Sequence, residues 1–509
     1  MGLRAGARVA ALCALLLAGT ARAQDRPRED DIFGAPDKKP AAPVPNDESP
    51  GAHTAPAADA RDELNLGQRD APTRFSTDAA PDNPLTIGGQ FYLQSRTTAL
   101  EKQDPQDWTF SSPSLLDAYF DARPNPRVRG FVLGRMVFDP TLPPQGSAPA
   151  TGGAAIEPSG ATMGAAPLSA LLAGQTRGPQ VALDQLWLRF DVKHTVFVTA
   201  GKQHVRWGTA RFWTPADFLH IRRRNPLDVF DARTGTTMLK LHVPWEARGW
   251  NFYGYALTEG ADATSKVGDV AGAGRAEVVL GTSEAGIGAV VQRHRKPKLA
   301  ADFSAGVFDL DVYGEVALRD GSEIDRVGVD PSVPFDPGTL STQAELQARL
   351  DARYPVYRAS GIKPQVTGGL SYSRQYADKD VLILGAEYFN NGLGYDDSAV
   401  YPGLIPPRGL AEPAPFFYLG RHYAAVFVGL PAPYSWDLHT FTLSTLGNLS
   451  DRSFISRLDY SLTLLTHLSF EAFVAVHFGR STGEFRFAIP EIGWAAAFLD
   501  LGVALRVKI

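Results

Sequence analysis

Cysteine is all but missing from this chain: among 509 residues there is one, Cys13. It lies in an opening segment built like a secretory signal. Arg4 and Arg8 supply the charged start, Val9 to Ala18 the apolar stretch, and Ala21-Arg22-Ala23 a small-residue cleavage site before Gln24. Leu12 precedes Cys13 where a lipid-anchored start would carry a small residue. An exported chain without cysteine excludes a disulfide framework, a thiolate metal site and a cysteine nucleophile together. Long apolar runs are missing too. The signal's apolar stretch is too short for a spanning helix, and no later segment is long enough. The exported chain is therefore either soluble or a barrel whose apolar residues are spread over alternating strands. Charge of one sign is not in excess either. The net charge is −5, and three more negative once Arg4, Arg8 and Arg22 leave with the signal, which argues against a nucleic-acid partner.

Catalytic signatures are equally sparse. The ten histidines form no H-E-x-x-H and no spaced metal set, and His467 and His477 flank one candidate strand as interfacial or lumenal residues. No P-loop and no G-x-G-x-x-G opening a helix is present, and nothing calls for a cofactor. Gly479-Arg480-Ser481-Thr482-Gly483 matches G-x-S-x-G, but a nucleophile elbow needs a helix after the serine, and GEFRFAIP is not helical.

What the chain does have is glycine (49 residues), aromatics (10 %) and alternation. Residues 24–84 stand apart. This stretch is rich in Pro, Ala and acidic residues, has no apolar periodicity and reads as a disordered periplasmic tail. Asp30 to Gly34 within it (DDIFG) reads as a solvated linker, with a docking peptide as the alternative. From residue 85 to 509 the texture is that of strands.

The last strand is the clearest. Leu499, Leu501, Val503, Leu505, Val507 and Ile509 share one face; Asp500, Gly502, Ala504, Arg506 and Lys508 share the other. Such a strand has lipid on one side and water on the other, and barrel closure would pair it with the first. Arg506 and Lys508 then read as lumenal or rim charges.

Alternation predicts further strands over 85–98, 116–123, 127–139, 181–191, 195–203, 236–243, 250–257, 275–282, 285–293, 299–306 and 310–319. Later ones fall at 342–354, 363–376, 381–389, 422–430, 435–446, 453–465 and 469–479. With the last strand these make nineteen, one more than an even-numbered barrel permits, with the mismatch near 275–340. The fold class expected is all-β, a transmembrane antiparallel barrel of about 16–18 strands. Tyr92, Tyr119, Trp187, Trp250, Tyr388, Tyr423 and Trp436 fall near strand ends and are candidates for interfacial girdles.

The densest polar stretch interrupts this texture at Lys202 to Arg233. It holds Arg206, Arg211, Arg222, Arg223, Arg224 and Arg233, with Asp217, Asp228 and Asp231 and two tryptophans, Trp207 and Trp213. A loop of this length in a compact domain is functional or disordered, and the tryptophans argue for order. Folded into a barrel, its arginines would line the pore and set anion preference. Left outside, they would pair with the loop's own aspartates and with lipid phosphates.

GKQHVRWGTARFWTPADF followed by Asn225-Pro226-Leu227-Asp228 resembles a pattern of several porin-like outer-membrane families. There a strand ending in G-[RK]-Q runs into a W-G turn, here Trp207-Gly208, and then an N-P-x-D segment. Among these are the DUF1302-type proteins and, more distantly, alginate-export-type barrels. The resemblance implies a bacterial outer-membrane barrel, with outer-membrane lipid and the barrel-insertion machinery as partners. It also implies passage of a small polar or anionic solute, or a polymer; extracellular loops such as 140–178, 202–234 and 390–419 would control access to such a channel. Ile509 departs from the aromatic ending that helps such machinery read the last strand. A structural or adhesive barrel, a secreted β-sandwich array and a barrel-borne lipid or polymer hydrolase are the alternatives.

Overall fold

The computed structural model describes residues 84–142, 178–220, 222–227, 233–259, 266–334, 343–376, 380–404, 416–489 and 494–509. The signal segment, the tail with its Asp30–Gly34 patch, Asp228, Asp231 and most of 140–178 lie outside the described residues.

One 19-stranded sheet dominates, and its shortest member, Thr109–Ser111, only prolongs a neighbour. The remaining eighteen strands close into an antiparallel barrel. In chain order they are β1 Leu85–Leu100, β2 Ser114–Asn125, β3 Val128–Phe138, β4 Gln180–Val192, β5 Val196–Gln203 and β6 Thr236–Trp245. Then follow β7 Trp250–Leu257, β8 Ala271–Leu280, β9 Ser283–Val291, β10 Lys298–Val307, β11 Leu310–Asp320 and β12 Ile362–Gln375. The last six are β13 Val381–Asn391, β14 His422–Pro431, β15 His439–Asn448, β16 Ser453–Leu465, β17 Leu468–Gly479 and β18 Ala497–Lys508. Each pairs with the next, and β18 closes on β1 in a register running from Gln90↔Lys508 to Leu100↔Ala497. Ile509 extends that seam by exchanging both backbone hydrogen bonds with Gly89. Closure leaves no unpaired edge, the condition for strands to cross a bilayer. No helix among the described residues is long and apolar enough to cross a membrane.

The two faces divide as the alternation requires. Leu501, Val503 and Leu505 of β18, Leu239 and Leu241 of β6, and Leu186 and Leu188 of β4 are exposed on the outside. The alternate positions point inward and are largely charged. Asp500 accepts from Arg96 at 2.6 Å and Thr98 at 2.6 Å and pairs with His477 at 3.2 Å. Arg135 grips Asp117 (2.8 Å) and reaches Asp184 (3.4 Å), and Arg275 bridges Asp302 and Glu277, each at 2.7 Å. An ionised group facing such a wall is tolerable only when paired and hydrogen-bonded, and these are. Arg506 likewise meets Glu471 at 2.8 Å.

Connections at one end are short, such as 126–127, 193–195, 281–282 and 466–467; at the other lie 204–235, 321–361, 392–421 and 480–496. This is the asymmetry of an outer-membrane barrel.

Two expectations need correction. The surplus strand is 342–354, just beyond the suspected region: Gln343–Arg353 is an α-helix, α1. Its sequence, QAELQARLDAR, consists mostly of strong helix formers and has no β-branched residue; its spacing imitated alternation. The aromatic girdle is also smaller than expected. Tyr92, Trp187 and Tyr423 are buried on the inside, and Tyr119 stacks inward on Phe131 at 5.7 Å, itself stacked on Trp187 at 5.4 Å. Tyr388 and Trp436 do face outward, and Trp250 packs edge-on against Trp245 with Arg248 over both rings.

Candidate functional site

After Gln203 the chain leaves the sheet and runs inward. Trp207 is 1 % exposed, wedged among Phe218, Tyr255 and the guanidinium of Arg275. Gly208 makes the turn at φ 100°, and a Cβ there would fall 2.3 Å from Glu315 Oε1, so the backbone needs glycine on both counts.

Two carboxyl groups on the inner wall then hold the segment through its backbone. Glu315 of β11 accepts from the amides of Ala210 (2.6 Å) and Ala216 (3.2 Å). Glu387 of β13 accepts from those of Arg211 (2.8 Å), Phe212 (3.1 Å) and Trp213 (2.8 Å), and from the Tyr313 hydroxyl (3.0 Å). Aromatic packing finishes the attachment. Trp213 stacks on Phe389 (5.8 Å) and leans on Tyr423 (5.3 Å), while its indole donates to the Phe417 carbonyl at 2.9 Å. Phe212 meets Phe427 edge-on at 5.8 Å. The 204–227 segment is thus stapled across the inside to β11 and β13, with further contacts on β14.

The arginines it carries are placed differently from one another. Arg206 donates to the Ala210 carbonyl within its own turn. Arg211 lies 3.8 Å above the Phe427 ring. Arg223 donates to the Thr214 carbonyl at 3.2 Å and sits over Tyr418 at 5.8 Å, while Arg224 receives the Tyr418 hydroxyl on its carbonyl. Arg222 is exposed. Arg233 pairs with Asp217 at 3.0 Å and caps the Arg222 carbonyl. Of the motif residues, Trp207 and Gly208 make the inward turn, Asn225 caps the Leu227 amide at 3.0 Å, and Pro226 is buried. The arginines therefore do not form one row. Arg211 stands on the β14 side, and Arg223, Arg224 and Arg233 gather around Asp217 and Tyr418. Glu315 and Glu387, which anchor the segment, escaped sequence reading. The available signal was a carboxylate at an inward position of a strand otherwise filled by small or apolar residues, as in Tyr313-Gly-Glu-Val-Ala317.

A histidine pair secures the segment's root. His204 binds Asp184 at 2.9 Å and faces His220 at 3.4 Å; His220 in turn binds Asp217 at 3.0 Å. Burial would raise the Asp217 carboxyl, but His220 and Arg233 hold it far below the ordinary range. Burial and Arg233 push the His220 imidazole down. A second buried cluster ties down the connection 480–496. Glu484 accepts from Tyr423 (2.6 Å) and Asn448 (2.9 Å), and its own amide donates to Asp451 at 2.8 Å. Burial, then the neighbouring Asp451 carboxylate, push Glu484 up to about 8. Ser481 sits in a turn of this connection with no helix after it among the described residues, so the elbow geometry is absent there. His477 is lumenal, committed to Asp500 and to the Phe485 carbonyl.

No family model matches the chain, and no curated protein matches it in sequence. Solved structures that it resembles include Acinetobacter baumannii OccAB1 (10 % identity, TM-score 0.46, covering 84 % of this chain and 97 % of that one). OccAB4 of the same organism is similar at 7 % identity and TM-score 0.45, covering 85 % and 100 %. A mutant Rhodopseudomonas blastica porin is similar at 9 % identity and TM-score 0.37, covering 84 % and 100 %.

Glu387→Ala leaves the amides of Arg211, Phe212 and Trp213 without their acceptor, at about 1.5–3 kcal/mol per charge-assisted bond lost. Limited trypsin digestion of the folded protein should then cut after Arg206 and Arg211, sites protected in the parent. The titrations predict two pH dependences of opposite slope that overlap below neutrality. Unfolded histidine takes up its proton near pH 6.5 and His220 resists it, so stability declines as pH drops below about 6.5. The raised Glu484 contributes stability that is full below its ordinary range and lost as pH rises to about 8. Thermal unfolding in detergent across pH checks both; His220→Gln should remove the loss below about pH 6.5, and Glu484→Gln the loss between the ordinary carboxylate range and about pH 8.

Proposed function

We propose that this chain is an outer-membrane channel through which small polar and anionic solutes diffuse, filtered by size and charge at the inward-folded 204–227 segment. The observation that carries the reading is that segment itself. A closed two-faced barrel turns a long, arginine-rich connection into its lumen and fixes it there with wall carboxyls. Arg206, Arg211, Arg223 and Arg224 thereby stand inside a low-dielectric wall, where their fields act on passing ions more strongly than in open water. The long connections at one end support the reading that this end faces outside the cell. The short turns, the start of β1 and the end of β18 then lie on the periplasmic side. Kinship with the DUF1302-type and alginate-export-type barrels belongs to the same reading. Its support is that Trp207 and Gly208 are the residues that turn the chain inward. Outer-membrane lipid and the insertion machinery follow as partners.

Reversal potentials across a salt gradient in planar bilayers test the proposal. Purified protein should conduct with anion preference, and replacing Arg222, Arg223 and Arg224 together by glutamine should shift the preference toward cations. Absence of conductance would favour a plugged barrel of structural or adhesive role. Cation preference unaltered by the triple change would refute the arginine filter.

A further inference from the structure

Several guanidinium groups on the inner wall follow one pattern. Arg96, Arg129, Arg135, Arg275, Arg457 and Arg506 each hold a carboxylate within salt-bridge distance. Arg319 breaks it. It sits at the long-connection end of β11, register partner of Lys298 on β10, and points inward to lie 4.7 Å over Phe218 of the inserted segment. Its Nε is buried without a hydrogen-bond partner, and no carboxylate among the described residues lies within ion-pair distance of it. Arg223, arriving from the inserted segment, is likewise bound, among the described residues, to a carbonyl and a ring.

Arg319 and Lys298 are register partners on adjacent strands, and the inserted segment that lays Phe218 against Arg319 adds the positive charge of Arg223 to theirs. Among the described residues Glu323 is the carboxylate on this cluster, and it is already shared between Lys298 (2.6 Å) and Arg295 (3.7 Å). Asp217, the other acid in range, is taken by Arg233 and His220. Like charges held together in a partly desolvated pocket, on a wall where six other arginines hold carboxylates, leave a site short of negative charge among the described residues.

We propose that Arg223, Arg319 and Lys298 form a binding subsite for a small, doubly charged oxyanion at the outer mouth of the lumen. Two guanidinium forks and an ammonium suit a ligand with several oxygens, of the phosphate or the dicarboxylate type, better than a single halide. Phe218 and Tyr418 form its apolar sides. The inference rests on the channel reading above and deepens it, from a general field to one station on the path.

The test is saturable block of the chloride current in planar bilayers, titrated separately with inorganic phosphate and with succinate. Wild-type protein should conduct chloride and be blocked at a defined half-saturating concentration. Arg319→Gln and Arg223→Gln should each raise that concentration about tenfold or more, as expected for loss of one charge-assisted contact. Lys296→Gln, which removes an exposed cation from the same rim, should leave it unchanged. Two variants on separate elements guard against misfolding of either one. Block by both anions supports the shared oxyanion chemistry, and block by one names the source. Conductance with no saturable block, or with block weakened equally by Lys296→Gln, would overturn the subsite and leave the channel standing. No conductance from wild-type protein would overturn both.

Discussion

A peptide amide that leaves bulk water must find an acceptor, and both the barrel and what fills it answer that obligation. Strand pairing meets it for the wall, and the β1–β18 seam completes the circuit. The 204–227 segment has no strand beside it to pair with, so side chains do the work. Glu315 and Glu387 present their oxygens to consecutive amides as an oxyanion would to a backbone nest. Each wall carboxyl exchanges its own need for donors against the segment's need for acceptors. The aromatic stacking of Trp213 and Phe212 adds burial, yet it follows from this backbone placement. Those rings reach Phe389, Tyr423 and Phe427 because the amides beside them are held at the wall.

Once the segment is inside, charge is distributed in two ways. Along β1–β3, β17 and β18 the wall neutralises itself in short ion pairs, which stiffen the lumen without giving it a sign. Around Phe218 and Tyr418, among the described residues, cations outnumber the acids available to them, because the inserted segment adds Arg223 to a wall already carrying Arg319 and Lys298. The excess of positive charge among the described residues therefore lies where the segment meets the wall. Neither the wall nor the segment carries it alone.

Much of the barrel was legible in the chain. Alternation located the eighteen staves to within a few residues, as in Trp250–Leu257 and Ser453–Leu465, because lipid on one side and water on the other impose period two on every one. The excess came from 342–354, where spaced leucines mimicked a strand although the residues between them favour a helix. Aromatic positions misled for a related reason. Ring side chains near strand ends suit a lipid interface and a packed lumen equally, and only the parity of Tyr92, Tyr119, Trp187 and Tyr423 within their strands separates the two. The Arg-rich segment stood out in the chain as an interruption of the strand texture. Its partners were not, because Glu315, Glu387, Arg319 and Lys298 lie more than sixty positions further along the chain and come together only through barrel closure.

The claim on which the account turns is that residues 210–216 are held by wall carboxyls inside the barrel. Amide hydrogen exchange of the folded protein in detergent reads this directly. The amides of Ala210 to Trp213 and of Ala216 should be protected to a degree close to that of the neighbouring strands. Exchange of these amides at the rate of an exposed loop would contradict it.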